Sequence, residues 1–346
     1  MGKSVHTLCT PPLDIRLALV PVHPRLPSIS TMTKRRRRFN IRAHQLFSSA
    51  GGPSMAAPLQ TLARHSLIAT LGPDRDPQNA CILFATIPSE IRNNIFSLAL
   101  YSYYDTARPY PEYSFYSRPG YRFHRRIDTA LLATCRRIYS ETHDLPISQN
   151  EHVFWCGRGP SSVSIEGALR RYFERLTEEQ LSAVVQAHFF TQLFWLEGTF
   201  PTICTLPVMK AKHIKITVRY TDWWYWENNV PLAMKSQWID NLKFIAGLQS
   251  LEVELETIER DKTQMETIAQ NMLRWRIPLT GRVLTTEGNP IVSERIQGPS
   301  RYKDGAIEYS TALGGWVPIG NINEPPEPRY LQYVVLILLW TAKASK

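Results

Sequence analysis

Ile87-Pro-Ser-Glu-Ile-Arg-Asn-Asn-Ile-Phe96, read together with Leu131-Leu-Ala-Thr-Cys-Arg-Arg-Ile-Tyr-Ser-Glu141, decides the fold of this 346-residue chain. Pro88 suits the first position of a helix, where its missing N–H has no partner to lose. Glu90 follows in the first turn, where the helix dipole favours a negative charge. Ile87, Ile91, Ile95 and Leu98 recur at steps of four and three. They form one helix face, with Asn93 and Asn94 on the other. In the second stretch Asp128 is placed to cap a helix. Leu131, Leu132, Cys135, Ile138 and Tyr139 make one apolar stripe, with Arg136, Arg137 and Glu141 off it, and Pro146 bounds the helix. Two short amphipathic helices cannot bury their stripes alone. They must pack on each other, on the following domain or on a partner.

A short Asn150-Glu-His-Val-Phe154 segment completes the pattern. The order apolar-Pro-x-Glu-Ile-Arg-x-x-Ile-Phe, then Leu-Leu-x-Thr-Cys-Arg-x-Ile-Tyr-x-Glu, then Asn-x-x-x-Phe resembles a large group of fungal proteins that carry an F-box-like module. The F-box has a similar layout, Leu-Pro-x-Glu-Ile-x-x-x-Ile-Phe followed by Cys-Arg-x-Trp. Here Ile87 stands for the Leu and Ile138 for the Trp, and a Tyr-, Pro- and Arg-rich stretch at 101–127 separates the halves. The resemblance covers 83–155. It implies a helical module that docks on the adaptor subunit of a cullin-type ubiquitin ligase while the rest of the chain recruits a target. Its partner-binding residues are then Ile87, Pro88, Ile91, Ile95, Phe96, Leu131, Cys135 and Ile138.

Hydrophobic content of 43% and charged content of 20% predict that most of the chain folds. The five Cys are widely spaced without a Cys-x-x-Cys, which speaks against a zinc site or disulfide framework and fits a reducing compartment. The net charge of +10 is unevenly spread: residues 1–70 carry +9 and the remainder +1. Residues 1–80, rich in Pro, Ser, Thr and Arg, read as a disordered basic tail. Within it Lys34, Arg35, Arg36, Arg37 and Arg38 fit a nuclear-import signal or a contact to an anionic surface, as well as a plain solvated charge run. Localisation is expected to be nuclear or cytoplasmic. Mitochondrial targeting ranks lower, because Pro11, Pro12, Pro21, Pro24 and Pro27 forbid a long amphipathic helix near the start.

The expected architecture is α+β. A helical F-box-like module at 81–157, with an inserted loop at 101–127, precedes an α/β domain at 158–346. Gly157-Arg-Gly-Pro160 marks the boundary. Ser164 caps a helix through Ile165, Leu169, Tyr172, Phe173 and Leu176. Thr177-Glu-Glu-Gln180 is a capping box opening a second helix through Leu181, Val184, Val185, Phe189 and Leu193 to Gly198. His213–Val218 and Ser250–Leu255 alternate as strands, and Trp238, Leu242, Ile245 and Leu248 mark a helix between them. That order predicts parallel pairing and resembles a degenerate leucine-rich sheet. A further helix is expected over 263–275, a strand at 282–286 and an irregular loop at 287–329. Tyr333–Trp340 is too short for the roughly 20 residues of a membrane span and reads as a buried strand.

No catalytic constellation emerges, so the expected function is that of a non-enzymatic interaction protein without metal or cofactor. Cys135 and His143 are not on one helix face, and nothing orients the His. Glu252, Glu254 and Glu256 read as a solvated strand face. Asp222-Trp-Trp-Tyr-Trp226 makes Trp223, Trp224 and Trp226 a weak target-binding platform, against the alternative of rings that cap the core. The contrasting expectation is a nuclear scaffold that meets nucleic acid through its tail alone.

Overall fold

Four strands of the principal sheet run parallel and lie side by side in the order in which they occur along the chain. The computed structural model describes residues 76, 78–112, 114–160, 168–226, 230–299, 307–310, 315–318 and 330–344. It opens with helices α1 (Ile82–Ala85) and α2 (Ser89–Ala99), then a ribbon of β1 (Tyr103–Pro109) and β2 (Phe123–Arg126). Helices α3 (Arg136–Thr142) and α4 (Leu145–Ser148) lead into β3 (Glu151–Cys156). After it come α5 (Ala168–Phe173), α6 (Glu178–Ala183), β4 (Gln186–Thr191), α7 (Leu193–Gly198), α8 (Phe200–Cys204) and β5 (His213–Val218). Then follow β6 (Ser250–Ile258), α9 (Lys262–Met272), β7 (Ile277–Leu279), β8 (Arg282–Thr285), β9 (Val292–Pro299), β10 (Ile307–Ser310), β11 (Gly315–Pro318) and β12 (Tyr330–Ala344).

The sheet order is β3-β4-β5-β6-β12-β8-β7, with β9 also on β12. β5 and β6 pair in parallel as their alternation predicts, with Ile216 beside Val253. Beyond β6 the sheet turns antiparallel. β12 pairs β6 along one edge, and its other edge is shared by β9 and β8. The fold is therefore α+β with a mixed sheet, and a solenoid-like order extends no further than β3–β6. β3, expected to close a separate module, is the edge strand of this sheet, and the described residues fall in one compact unit.

The register sorts the strands into two faces. Phe154, Phe189, Ile216, Val253 and Leu338 line one of them. Helices cover it with a belt of rings: Phe173 lies 5.4 Å from Phe154, Phe200 5.5 Å from Phe189, and Trp238 6.0 Å from Phe200. Trp275 continues the belt to Trp340 at 6.1 Å. The opposite face carries Glu151, Trp155, His188, Phe190, Lys215, Glu254 and Glu256. A parallel sheet needs both faces covered. The cover here is the 101–127 stretch, whose Tyr121 ring sits 4.7 Å from Phe190 and 6.3 Å from Trp155.

Several expectations are corrected. The 101–127 stretch is not a loop: its ends pair as the β1–β2 ribbon and its middle packs on the sheet. The helix expected from Thr177 to Gly198 is broken. The capping box at Thr177 forms, but α6 stops at Ala183 and Gln186–Thr191 is strand β4. Ala187, His188, Phe189 and Phe190 are all buried. With both faces covered, the residues lose the alternation that marks a strand. The Asp128–Glu141 helix is split as well. A 3₁₀ turn (Ala130–Ala133), with the Asp128 carboxylate accepting from Ala130 N, ends before Cys135, whose backbone is extended (φ −157°, ψ 160°). The segment between β5 and β6 is 3₁₀ (Gln237–Phe244) rather than α-helix. The 287–329 loop contains β9 and the β10–β11 hairpin. Ser164 and Ile165 lie outside the described residues.

Candidate functional site

Helix α2 turns inward a face that starts with an arginine, and leaves Asn93 and Asn94 in solvent. Arg92, Phe96 and Leu100 follow at helical spacing and are 8%, 1% and 0% exposed. Ile91, Ile95 and Leu98, the apolar stripe, are 51%, 42% and 79% exposed. The reason lies in Arg92. Its Nε donates to Glu141 Oε2 at 3.2 Å and its Nη1 to the Ile87 carbonyl at 3.1 Å. Glu141 also accepts from Arg137 Nε at 3.1 Å, and both guanidinium groups stand over the Phe84 ring. Charge-assisted bonds of this kind hold geometry well. The Glu-Ile-Arg and Tyr-Ser-Glu ends of the two quoted stretches thus meet. At the far end Asn150 Nδ2 donates to the Leu100 carbonyl at 3.1 Å, its Oδ1 accepts from Ser102 N at 2.7 Å, and Gln149 Nε2 donates to the Ser97 carbonyl.

The expected partner contacts divide accordingly. Pro88, Ile91 and Ile95 are exposed and Ile87 is half-buried. Phe96 and Ile138 are buried and cannot meet a partner. Leu131 is half-buried, and so is Cys135, which caps α3 by accepting from Ile138 N through Sγ. The second stripe therefore faces inward, and only the first stays open.

The aromatic platform is also corrected. Trp223 and Trp226 are buried, Trp223 Nε1 donates to the Glu256 carbonyl at 2.9 Å, and Trp224 Nε1 donates to Glu197 at 3.2 Å. These rings cap the core, and of that run only Tyr225 is exposed. Lys34, Arg35, Arg36, Arg37 and Arg38 lie outside the described residues.

Under the 101–127 cover lies a charge network that sequence reasoning missed. Arg118 Nη2 meets Glu254 at 2.6 Å and Glu256 at 3.2 Å, and Lys215 meets Glu252 at 2.7 Å and Glu254 at 3.0 Å. Glu252 keeps some solvent, but Glu254 and Glu256 are buried rather than solvated. Further along, Arg125 meets Glu151 at 2.7 Å. His188 Nδ1 lies 3.0 Å from both Glu151 Oε1 and the Tyr121 hydroxyl, and its Nε2 lies 2.8 Å from Thr217 Oγ1. Burial holds the His188 imidazole below its usual range, hence neutral. Nδ1–H then donates toward Glu151, and Nε2 accepts from Thr217. Burial alone would raise Glu151, but the hydrogen bond from His188 and the nearby Arg125 charge outweigh it and take the carboxyl to about 2. Glu254 likewise reaches about 2, burial being outweighed by Arg118 and Lys215.

Thr217, His188 and Glu151 have the spacing of an acid–base relay. Both Thr217 and His188 are 0% exposed, so no substrate reaches them. The network binds sheet to cover. Its signal in the sequence was a Lys and three Glu alternating with Ile, Leu and Val in β5 and β6. Among the described residues no group of three or more His, Cys, Asp or Glu is placed to hold a metal ion, and no helix is long and apolar enough to cross a membrane. Comparison with known proteins yields no matching family model, no matching curated protein and no matching solved structure.

Proposed function

We propose that this is a non-enzymatic interaction protein that docks through α2 on the adaptor subunit of a cullin-type ubiquitin ligase, in the manner of an F-box-like substrate adaptor. The observation that carries this reading is the outward stripe Ile91, Ile95 and Leu98 on a helix locked from behind by Arg92, Glu141 and Asn150. An amphipathic helix that offers i, i+4 and i+7 aliphatic anchors fits a hydrophobic groove on a partner. The positions that do so belong to the stretch that resembles the F-box-like group. On this reading the sheet and its cover present the target-recruiting surface.

Binding of the purified full-length protein to the purified adaptor, alone and with its cullin, tests the proposal. Saturable binding lost on joint Ile91→Asp and Ile95→Asp substitution is expected. Equal binding by the wild type and the variant would reject the docking role. The charge asymmetry of the sequence supports a second reading, a nuclear scaffold that meets nucleic acid through its tail. That reading requires steeply salt-dependent retention on DNA or RNA, lost when residues 34–38 are deleted.

A further inference from the structure

The β1–β2 ribbon forms a sheet of its own, and no third strand pairs with it among the described residues. Within β1 only Asp105 is shielded, and the strand is otherwise exposed. One face of the ribbon is tied down. The Tyr104 hydroxyl donates to the Gly120 carbonyl at 2.6 Å, and Arg125, its cross-strand partner, reaches Glu151 and Ser102 Oγ. Alternation puts Tyr103 and Arg126 opposite each other on the other face, followed by Asp105 and His124; Arg122 sits in the bend just before β2, its carbonyl accepting from Tyr110 N at 2.8 Å.

Tyr103 is 46% exposed, and Arg122 and Arg126 are exposed without a carboxylate partner among the described residues. Between Asp105 and Pro109 the register shifts, so Thr106, Ala107 and Arg108 have no opposite on β2. Arg108 is exposed and unpaired too, and it adds to burial in holding the His124 imidazole below its usual range. Natural proteins blunt free strand edges. Here the bulge and Pro109 blunt one end, and the edge over Tyr103–Asp105 stays open.

We infer that this ribbon face binds an acidic, extended polypeptide segment. The three arginines receive its carboxylates, Tyr103 packs on its side chains, and the short open edge of β1 offers main-chain hydrogen bonds. A nucleic acid fits less well. The chain beyond residue 70 carries a net charge of only +1, and Asp105 sits within the same face. The inference does not rest on α2, whose exposed stripe is aliphatic.

The probe is a fluorescein-labelled peptide of alternating Glu and Val, titrated with the full-length protein and read by anisotropy. Saturable binding is expected, weakened by at least about tenfold on joint Arg122→Glu and Arg126→Glu substitution. Tyr103→Ala should weaken it as well, and Ile91→Asp with Ile95→Asp should leave it unchanged. All of these side chains are at least partly exposed, and circular dichroism checks that each variant keeps its fold. The inference is overturned by absence of saturable binding, or by binding indifferent to the two arginines. Loss of binding only on deletion of residues 34–38 overturns it too. So does tighter binding of an oligothymidylate of equal charge that the same substitutions abolish.

Discussion

Replacing Arg118 with Met tests whether the sheet and its cover are joined by a desolvated charge cluster. Arg118 is buried and bridges Glu254 and Glu256. Without it Lys215 still neutralises Glu254 at 3.0 Å, whereas Glu256 Oε1 keeps the Tyr220 backbone N–H at 3.3 Å and loses its cation. Removing one partner of a buried pair costs about 3–5 kcal/mol, because the other charge is left without compensation. For a domain of this size that corresponds to a fall in Tm of about 6–20 °C. Met fills most of the Arg stem, so the loss reports charge rather than volume. Thermal unfolding by circular dichroism measures it, and the double variant Arg118→Met with Glu256→Gln completes a cycle. The double variant should regain more than about 1 kcal/mol relative to the single one, since the two groups couple directly. A Tm within about 2 °C of wild type, with no coupling in the cycle, would show that water reaches Arg118 and that the cover is not clamped by this cluster.

Arg92→Ala removes the inward anchor of α2 and should cost about 2–3 kcal/mol, with faster amide exchange confined to 82–100; unchanged exchange there would show that Phe96 and Leu100 suffice. Ile91→Asp with Ile95→Asp should move Tm by no more than about 4 °C, since exposed sites seldom exceed about 0.5 kcal/mol each. Glu151 and Glu254 sit at about 2 in the folded protein against an ordinary 4.5. The stabilisation each provides is complete above 4.5 and is lost as pH falls toward 2, and the neutral His188 adds a loss that begins below 6.5. Urea midpoints across that range should decline with acid and decline less in Glu151→Gln; a flat profile would contradict the pairing. Burial raises the Cys156 thiol and pushes the Cys204 thiol up to about 12. A thiol reagent should therefore label the half-buried Cys81 and Cys135 in the native protein and reach Cys156 and Cys204 only after denaturant is added.

Much of the fold could be read where one side of an element faces solvent or where a local signal is strong. The capping box at Thr177, the alternation in β5 and β6, and the apolar run in β12 each announced their element. β4 was illegible because Phe189 and Phe190 point to opposite faces and both are covered. Cys135 broke an apparently continuous helix because its extended backbone lets Sγ cap the next one, a local choice that periodicity does not register. For the candidate site, the α2 stripe was visible but its direction was not. An Arg is expected outside, and Arg92 faces inward where Glu141, 49 residues on, receives it together with the Ile87 carbonyl. Arg118 was hidden for the same reason, since its carboxylate partners lie on a strand far along the chain.

The order of the sheet also constrains how the chain is made. During synthesis β3, β4, β5 and β6 emerge in the order in which they pair, so each can dock on its predecessor as it appears. β6 then waits, its outer edge unclaimed, until the stretch that starts at Tyr330 arrives to seal it. A ribosome stalled within that interval would leave the nine-residue edge of β6 unpaired, so the nascent protein spends its most aggregation-prone moments just before Tyr330–Ala344 slots in.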